Sequence, residues 1–359
     1  MRTIPRVTYA RSADGVSLAF TVAGDGPALV FVPCVPFSNL RMEWQNPLLH
    51  RVFELLARRL TLIHYDGRGT GHSQRDVTDL SLEAMVSDLE AVVDRVGLTE
   101  VSLLGQYNSC PHAIAYAALY PQRVKRMVLF GGSARGWDAI SARQTRALLS
   151  LIEQDWDLFA DAAAHRWMGW SAGSAGRAKA DEIRGAVTPQ IARATMQAAS
   201  ATDVTEQLKS VAAPTLVLHR RGMTQIPVEV SRSLARDLPR GRLIVLEGPQ
   251  PVLFTEDPGG VVSMLADFFC DGIEPTDATP QPSMAGAAGG HSALRHNGLS
   301  RRELEVLGLL AAGESNSQIA RRLGLSTHTI ERHVANLYRK IGARGRADAT
   351  AFALRNGLA

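Results

Sequence analysis

Short apolar runs alternate with longer amphipathic ones along the first 270 residues. The apolar runs are strand-like, and several are separated by runs with helical spacing. The strand-like runs are 28–32, 60–65, 102–104, 124–130, 215–218 and 243–246, and the helical runs include 82–96 and 113–119. This alternation is typical of a mainly parallel sheet covered by helices on both faces.

A long helical insertion separates the fourth and fifth strand-like runs. It spans about 139–205 and carries several large apolar side chains, namely Trp156, Trp167, Met168, Trp170 and Met196. Binding sites in open α/β sheets lie at the carboxyl ends of the strands. We therefore predict that the insertion is a lid over a pocket at that edge.

The pattern changes after residue 270. Residues 271–296 are rich in Pro, Gly, Ala, Ser and Thr and have no apolar periodicity, which is typical of a flexible linker. Residues 297–359 then contain three helical runs, and each begins with a capping signal. These signals are the pairs Ser300/Glu303 and Ser315/Gln318 and the single residue Ser326. We predict two domains, 1–270 and 297–359.

Charge is distributed unevenly between these two domains. The chain has 39 Lys or Arg and 35 Asp or Glu, and ten of the basic residues but only five of the acidic ones lie in 297–359. The excess of positive charge therefore belongs to the C-terminal domain. This asymmetry favours a nucleic-acid partner for that domain and not for the rest of the chain.

The last of the three helices has one apolar face and one polar face. Ile330, Val334, Leu337 and Ile341 recur at helical spacing. The polar positions roughly opposite are His328, Arg332, Ala335, Asn336 and Arg339. A short turn joins this helix to the one before it, which is the layout of a helix-turn-helix whose second helix enters the major groove.

The segment "LSRRELEVLGLLAAGESNSQIARRLGLSTHTIERHVANLYRKIGARGRADATAFALRNGL", residues 299–358, resembles the LuxR-type DNA-binding domain over its entire length. The resemblance implies dimeric binding to a two-fold-related site on double-stranded DNA. It places Glu331, Arg332 and Ala335 towards the bases. It places five further residues near phosphates, Thr329, His333, Asn336, Arg339 and Lys340.

Composition narrows the remaining possibilities. Three cysteines without metal-ligand spacing indicate neither a disulfide framework nor a zinc site, and we expect no metal and no cofactor. The sequence has neither a signal-peptide core near its first residue nor an apolar run long enough to cross a bilayer. These features favour a cytoplasmic protein without membrane contact.

The motifs "YDGRGTGHS" at 65–73 and "LLGQYNSCP" at 103–111, with the order of the elements, resemble the α/β-hydrolase fold across the first domain. Catalytic members carry a nucleophile, a histidine and an acid at fixed positions. The resemblance places Tyr107 at the nucleophile position, Pro251 at the histidine position and Met223 at the acid position. It therefore implies a pseudoenzyme with no catalytic residues.

A pocket is expected at this edge even where catalysis has been lost. Its predicted lining is mostly apolar and favours a small apolar or aromatic ligand. The predicted residues are Pro33, Cys34, Val35, Phe37, Tyr107, Asn108, Met223, Pro251, Val252 and Phe254, together with the five large side chains of the lid. The resulting hypothesis is a ligand-responsive, homodimeric transcriptional regulator.

Two alternatives remain open at this stage. The first is a bifunctional enzyme-regulator that uses Cys34, Cys110 or Tyr107 in a non-hydrolytic or covalent reaction, since these residues and His112 lie near the same mouth by motif position. The second is a first domain that serves only as a platform for dimerisation. His72 and Asp66 are interpreted as parts of a structural turn, because the glycine-rich stretch around them serves backbone geometry.

Overall fold

A computed structural model describes most of the chain. The described residues are 4–136, 143–168, 173–223, 226–248, 250–272, 301–311, 314–323, 325–341, 343, 345–346 and 348–350. The chain forms two compact units, Met1–Gln281 and Pro282–Ala359, which are described separately. Several predicted features fall outside the described residues: Trp170, the Ser300 cap, the start of the lid at 139–142 and the linker beyond Gly272.

The first unit is built on an eight-stranded sheet. Its strands are β1 Thr8–Arg11, β2 Ser17–Ala23, β3 Ala28–Phe31, β4 Thr61–Tyr65, β5 Val101–Gln106, β6 Val124–Phe130, β7 Thr215–Arg220 and β8 Gly241–Leu246. They lie in the order β1-β2-β4-β3-β5-β6-β7-β8. The neighbours from β4 to β8 pair in parallel, whereas β1 and β2 pair antiparallel with each other and β2 pairs antiparallel with β4. All six predicted strands are confirmed, and β1 and β2 are additional.

Helices cover both faces of this sheet. They are α1 Leu40–Gln45, α2 Pro47–Ala57, α3 Leu82–Val96, α4 Cys110–Leu119, α9 Val228–Asp237 and α10 Pro258–Asp271. One core contains residues of α3, α4 and α9, and the other contains residues of α2 and α10. This arrangement confirms the mainly parallel sheet with helices on both faces.

Local signals fix the ends of the helices. Ser81 caps α3 by accepting a hydrogen bond from the backbone of Ala84, and Gly97 ends the helix in the left-handed region at a φ of 78°. The prediction of 82–96 is confirmed. The helix predicted at 113–119 begins earlier, at Cys110, because Pro111 is tolerated in its first turn.

The insertion between β6 and β7 contains four described helices. They are α5 Arg143–Gln154, α6 Trp156–Met168, α7 Gly173–Ala186 and α8 Pro189–Ala201. Ile152, Phe159 and Ile183 belong to a small apolar core within this lid. A 3₁₀ helix at Glu206–Ser210 then leads to β7.

The last helix of the first unit extends one residue into the linker predicted at 271–296. Asp271 is the last residue of α10, and its carboxylate lies 2.7 Å from the guanidinium of Arg59. Gly272 follows in the left-handed region, at a φ of 67°, and ends the helix. The remainder of the linker, 273–296, stays a prediction.

The second unit contains three described helices, α11 Arg301–Ala311, α12 Asn316–Leu323 and α13 Thr327–Ile341. The capping box of α12 is confirmed, because Ser315 and Gln318 exchange side chain to backbone bonds of 2.7 and 3.4 Å. Ser326 caps α13 by accepting from the backbone of Thr329 at 3.1 Å. In the part of the chain that the structure describes, no helix is long and apolar enough to span a membrane.

Candidate functional site

The turn from β5 into α4 forms a sharp elbow. Tyr107 stands at its apex with a φ of 51°, which a residue with a side chain rarely adopts. The hydroxyl of Ser109 closes the turn, since it accepts from the backbone N–H of Gln106 at 2.8 Å and donates to the carbonyl of Gln106 at 2.9 Å. The elbow that the sequence predicted is therefore formed, with Tyr107 at the nucleophile position.

Glycines after β6 make room for this elbow. A Cβ on Gly131 would lie 3.0 Å from the Tyr107 ring and 3.3 Å from the Met223 methyl group, and Gly131 has a φ of 58°. A Cβ on Gly132 would lie 2.2 Å from the sulfur of Cys110. Only glycine fits at both positions without a shift of the surrounding atoms.

The three positions that the hydrolase resemblance singled out meet in space. The Tyr107 hydroxyl donates to the backbone carbonyl of Pro251 and lies 3.3 Å from the sulfur of Met223. Burial, followed by the nearby thiols of Cys34 and Cys110, raises the pKa of Tyr107 well above its usual range. The phenol is therefore neutral and acts as a hydrogen-bond donor.

A cavity of about 160 Å³ opens beside Tyr107. Seven of the predicted ligand-binding residues line it: Pro33, Cys34, Phe37, Tyr107, Pro251, Val252 and Phe254. They come from the loop after β3, the elbow and the loop after β8. All three segments follow strands at the carboxyl edge of the sheet, which is the location that the topology predicts.

Five other predicted residues are described and do not line this cavity: Val35, Asn108, Trp156, Met196 and Met223. Asn108 instead ties the loop after β3 to the elbow, since its amide donates to the Val35 carbonyl and its oxygen lies 2.9 Å from the Cys34 sulfur. Trp156 stacks on Phe159 at 5.2 Å inside the lid.

The remaining three predicted lid residues have no described side chain. Trp170 is outside the described residues, and the side chains of Trp167 and Met168 are outside them as well. Of the five large lid side chains predicted to line the pocket, only those of Trp156 and Met196 are described, and neither lines the cavity.

The cavity has a charged wall that sequence reasoning missed. The additional lining residues are Phe31, Glu43, Leu49, His64, Gln106, Lys179, Glu182 and Ile183. Glu43 lies on α1, His64 on β4, and Lys179 and Glu182 on α7. The lining is mostly apolar, as predicted, but the fold also brings four ionisable side chains from separate elements to one surface of it.

These four side chains form two short ion pairs. Glu43 lies 3.1 Å from Nε2 of His64, and Lys179 lies 2.6 Å from Glu182. Burial alone would raise the pKa of Glu43, but His64 and Lys179 outweigh it and the pKa is lowered. For Glu182 burial is the dominant influence, and its pKa is raised. Burial lowers the pKa of Lys179, but the two carboxylates outweigh it and raise the pKa.

The thiols near the elbow are poorly suited to nucleophilic chemistry. Burial raises the pKa of Cys34 to about 12 and raises that of Cys110 further. Burial also lowers the pKa of His112 to about 4. A Cys–His pair requires a thiolate beside an imidazole that can hold a proton, and these environments disfavour both forms.

The turn around Asp66 has a structural role. Its buried carboxylate accepts hydrogen bonds of 2.7 Å from the backbone N–H groups of Leu40 and of His72. Burial raises the pKa of Asp66 to about 7 even though these bonds favour the ionised form. The arrangement agrees with the structural turn inferred from the sequence.

In the second unit, α13 buries the predicted apolar face. Ile330, Val334 and Leu337 lie in the core with residues of α11 and α12, while the side chain of Ile341 is outside the described residues. The predicted DNA-binding residues of the helix are half-buried or exposed. Exposed are His328, Glu331, Arg332, Ala335, Arg339 and Lys340, and half-buried are Thr329, His333 and Asn336.

Several of the predicted phosphate-contacting residues already have partners within the unit. Lys340 lies 2.7 Å from the buried carboxylate of Glu303 on α11, and Arg339 donates to Asn336 at 2.6 Å. Lys340 therefore links the first and third helices in addition to any role on DNA. Arg332 projects from the exposed face and remains the strongest candidate for a base contact.

Comparison with known proteins assigns a family to each unit. The model of the alpha/beta hydrolase fold matches residues 27–258. The model of bacterial regulatory proteins of the luxR family matches residues 297–353. The two matches therefore cover separate parts of the chain.

Individual relatives divide in the same way. RutD of Caulobacter sp. (strain K31), for which carbamate hydrolase activity is proposed, is 29% identical over 198 residues, covering 53% of this chain and 73% of its own. The transcriptional regulatory protein LiaR of Bacillus subtilis (strain 168) is 38% identical over 69 residues, covering 19% of this chain and 33% of its own. The chain thus spans about one third of the length of the regulator.

Solved structures support the fold of the first unit. An esterase from Exiguobacterium antarcticum superposes with a TM-score of 0.63 at 19% identity, covering 74% of this chain and 99% of its own. A bromoperoxidase from Bacillus anthracis gives a TM-score of 0.62 at 19% identity, covering 73% of this chain and 99% of its own. The chain belongs to the alpha/beta hydrolase fold family and carries a C-terminal DNA-binding domain of the luxR family of bacterial regulatory proteins.

Proposed function

We propose that this protein is a one-component transcriptional regulator in which the hydrolase-fold unit senses a small molecule and does not catalyse a reaction. The observation that carries the proposal is the contact of Tyr107 with Pro251 and Met223. A phenol, a proline carbonyl and a thioether occupy the places of nucleophile, histidine and acid. None of these three groups can accept the proton that a hydroxyl nucleophile must lose near neutral pH.

The cavity beside Tyr107 supports a sensing role. It lies where substrates of this fold bind, and it is enclosed between the sheet and the lid helix α7. With its catalytic positions occupied by unreactive groups, a pocket of this kind can still bind a ligand. The occupant would be mostly apolar, given the side chains of Phe31, Phe37 and Phe254.

Regulation requires that ligand occupancy change DNA binding. A ligand shifts a conformational equilibrium only when it binds one state more tightly than the other. We propose that the two states are two arrangements of a homodimer that differ in how they present their luxR-family domains to a two-fold-related operator. Such a regulator acts in the cytoplasm, where the chromosome is.

The first experiment is a search for the natural ligand. The full-length protein is purified and denatured, and mass spectrometry of the released material looks for a stoichiometric small molecule. The preparation is repeated with Tyr107→Ala, which removes one wall of the cavity, and with Glu206→Gln, an exposed substitution in the same unit. We expect a compound that is retained by the Glu206→Gln protein and lost from the Tyr107→Ala protein.

The second experiment links this compound to DNA. Operator fragments are selected from a random library with the full-length protein, and their affinity is measured with and without the compound. A ligand-dependent change in affinity supports the proposal. Turnover of the compound by the wild-type protein contradicts it, and a DNA affinity that no bound ligand changes favours the dimerisation platform instead.

A further inference from the structure

The charged wall of the cavity joins two parts of the hydrolase-fold unit. Glu43 and His64 belong to α1 and to the sheet, whereas Lys179 and Glu182 belong to the lid helix α7. The two pairs, with separations of 3.1 and 2.6 Å, therefore line the same cavity, one from the body and one from the lid. A ligand in the cavity can reach both.

The charged wall has two carboxyl groups but only one ammonium group. The imidazole of His64 is its fourth ionisable group, and the neighbouring Cys34 and Tyr107 stay neutral because burial raises the pKa of each. Both carboxylates are within reach of a single ammonium group, so the wall offers a ligand carboxylate no unshared positive charge.

The environment of Glu182 agrees with this count. Burial raises the pKa of Glu182, Lys179 opposes this effect, and the nearby Glu43 adds to it. A carboxyl group responds in this way when the effect of burial outweighs the positive charge around it. A cationic ligand would add to that positive charge.

His64 gives an independent sign of an absent polar partner. Its side chain is almost fully buried, at 1% exposure, and lines the cavity. Nε2 faces Glu43, but Nδ1 has no hydrogen-bond partner among the described residues. Buried polar atoms are normally paired, because an unmade hydrogen bond costs about 1 to 3 kcal/mol.

The size of the cavity limits the rest of the ligand. A cavity of about 150 Å³ lined by apolar side chains holds a benzene molecule, and this one measures about 160 Å³. Phe31, Phe37 and Phe254 add aromatic surface to the lining of the cavity. The space therefore suits one ring or a short alkyl chain together with one polar group.

We infer that the cavity binds a small primary amine with an apolar group about the size of benzene, whose ammonium group bonds to Glu43 and Glu182. This inference rests on the proposed function, since it names the class of ligand that the sensor takes. The ammonium group links a carboxylate of the body to a carboxylate of the lid. Binding therefore holds α7 against α1.

The test uses three probes of one shape and different charge. Benzylamine, benzyl alcohol and benzoate share the ring and carry a positive, a neutral and a negative group near neutral pH. Their affinities for the full-length protein are measured by isothermal titration calorimetry. We expect benzylamine to bind at least about tenfold more tightly than benzyl alcohol, as a charge-assisted bond predicts, and benzoate to bind more weakly than both.

Two nearly isosteric variants locate the site. Glu43→Gln and Glu182→Gln are each expected to weaken the binding of benzylamine by about tenfold or more. The affinity for benzyl alcohol should stay within about twofold of the wild-type value. Glu206→Gln, on an exposed carboxylate, is expected to change neither affinity. Far-UV circular dichroism checks that each variant is folded. If one variant does not fold, the affinities of the three probes for the wild-type protein still test the inference.

Three outcomes overturn the inference. They are tighter binding of benzoate than of benzylamine, binding of none of the probes at millimolar concentration, and benzylamine binding that neither carboxamide variant weakens. The first leaves a small-molecule sensor intact and changes only its ligand. Selective amine binding without any effect of ligands on DNA affinity would support the site and contradict the proposed regulation.

Discussion

The hydroxyl group of Tyr107 donates a hydrogen bond to the backbone carbonyl of Pro251. This bond joins the elbow after β5 to the loop after β8, the two segments that carry the nucleophile and the histidine in a catalytic α/β hydrolase. A structural contact therefore stands at the two positions to which the hydrolase resemblance assigns a proton transfer. It also fixes the phenol as one wall of the cavity.

The first prediction concerns catalysis. Tyr107→Ser restores a hydroxyl of the usual size at the elbow, but the neighbouring Met223 thioether and Pro251 carbonyl cannot serve as a general base. We expect hydrolysis of p-nitrophenyl acetate by this variant to stay within about twofold of the wild-type protein, because base catalysis contributes roughly 100-fold or more where it operates.

The matched control for this assay is Tyr107→Phe, which keeps the ring and has no hydroxyl at all. Equal rates for the serine and phenylalanine variants would show that the new hydroxyl is not activated. Saturable turnover by Tyr107→Ser alone would mean that a base lies within reach of the elbow and that the unit retains catalytic potential.

The elbow and the lid differ in how far the sequence predicts them. The convergence of Tyr107, Met223 and Pro251 follows from motif position, because the ends of parallel strands meet at one edge of the sheet. In the same way, the spacing of Ile330 and Val334 predicts the buried face of α13. In each case a local or fold-level pattern fixes the position of the side chain.

No pattern of this kind in the sequence marks the residues of the charged wall. Glu43 and Lys179 lie far apart in the chain, on helices whose relative position depends on how the lid packs. Single charged residues on amphipathic helices are usually solvated, so nothing in the sequence sets these apart. The strand β1 was missed for a related reason, since it has only four residues and a single buried side chain.

The second prediction concerns the space around Tyr107. Gly131→Ala places a methyl group 3.0 Å from the phenol ring at a φ of 58°. We expect the free energy of unfolding to fall by about 2 to 4 kcal/mol, of which about 1 to 2 reflects the left-handed backbone and the remainder overpacking.

Gly97→Ala separates these two contributions. Gly97 has a φ of 78°, and a Cβ there meets nothing within 4 Å, so this variant should lose only the backbone part. All five tryptophans of the chain lie between Trp44 and Trp170, and their fluorescence in denaturant therefore reports on the hydrolase-fold unit alone. Equal losses in the two variants would show that the ring moves aside without cost.

The third prediction concerns acid stability. Burial lowers the pKa of His112 from 6.5 to about 4. As the pH falls through 6.5, the unfolded chain gains a proton that the folded protein does not take up until about pH 4, so His112 lowers the stability of the fold across this window. The loss approaches about 3 kcal/mol near pH 4.

His112→Gln removes this titration. We expect the free energy of unfolding of the variant to fall less steeply between about pH 7 and about pH 4 than that of the wild-type protein, by about 3 kcal/mol over the window. His72→Gln, at an exposed imidazole, serves as the matched histidine control. Parallel curves for wild type and His112→Gln would mean that the imidazole is hydrated in the fold.

The last prediction concerns recognition of DNA. Arg332 is exposed on the face of α13 opposite Ile330 and Val334, and its guanidinium group can bond to two acceptors on one guanine. We expect Arg332→Ala to weaken binding to the selected operator by about 1 to 3 kcal/mol and to relax the preference at one base pair, without changing the salt dependence. Arg236→Ala, which removes an exposed arginine of the hydrolase-fold unit, is the control and should leave the affinity for the operator unchanged.

The opposite outcome is that Arg332→Ala weakens binding to all DNA sequences equally and lowers the slope of the salt dependence by about one. The Arg332 side chain then contacts a phosphate. The base contact would then have to come from Glu331 or Ala335.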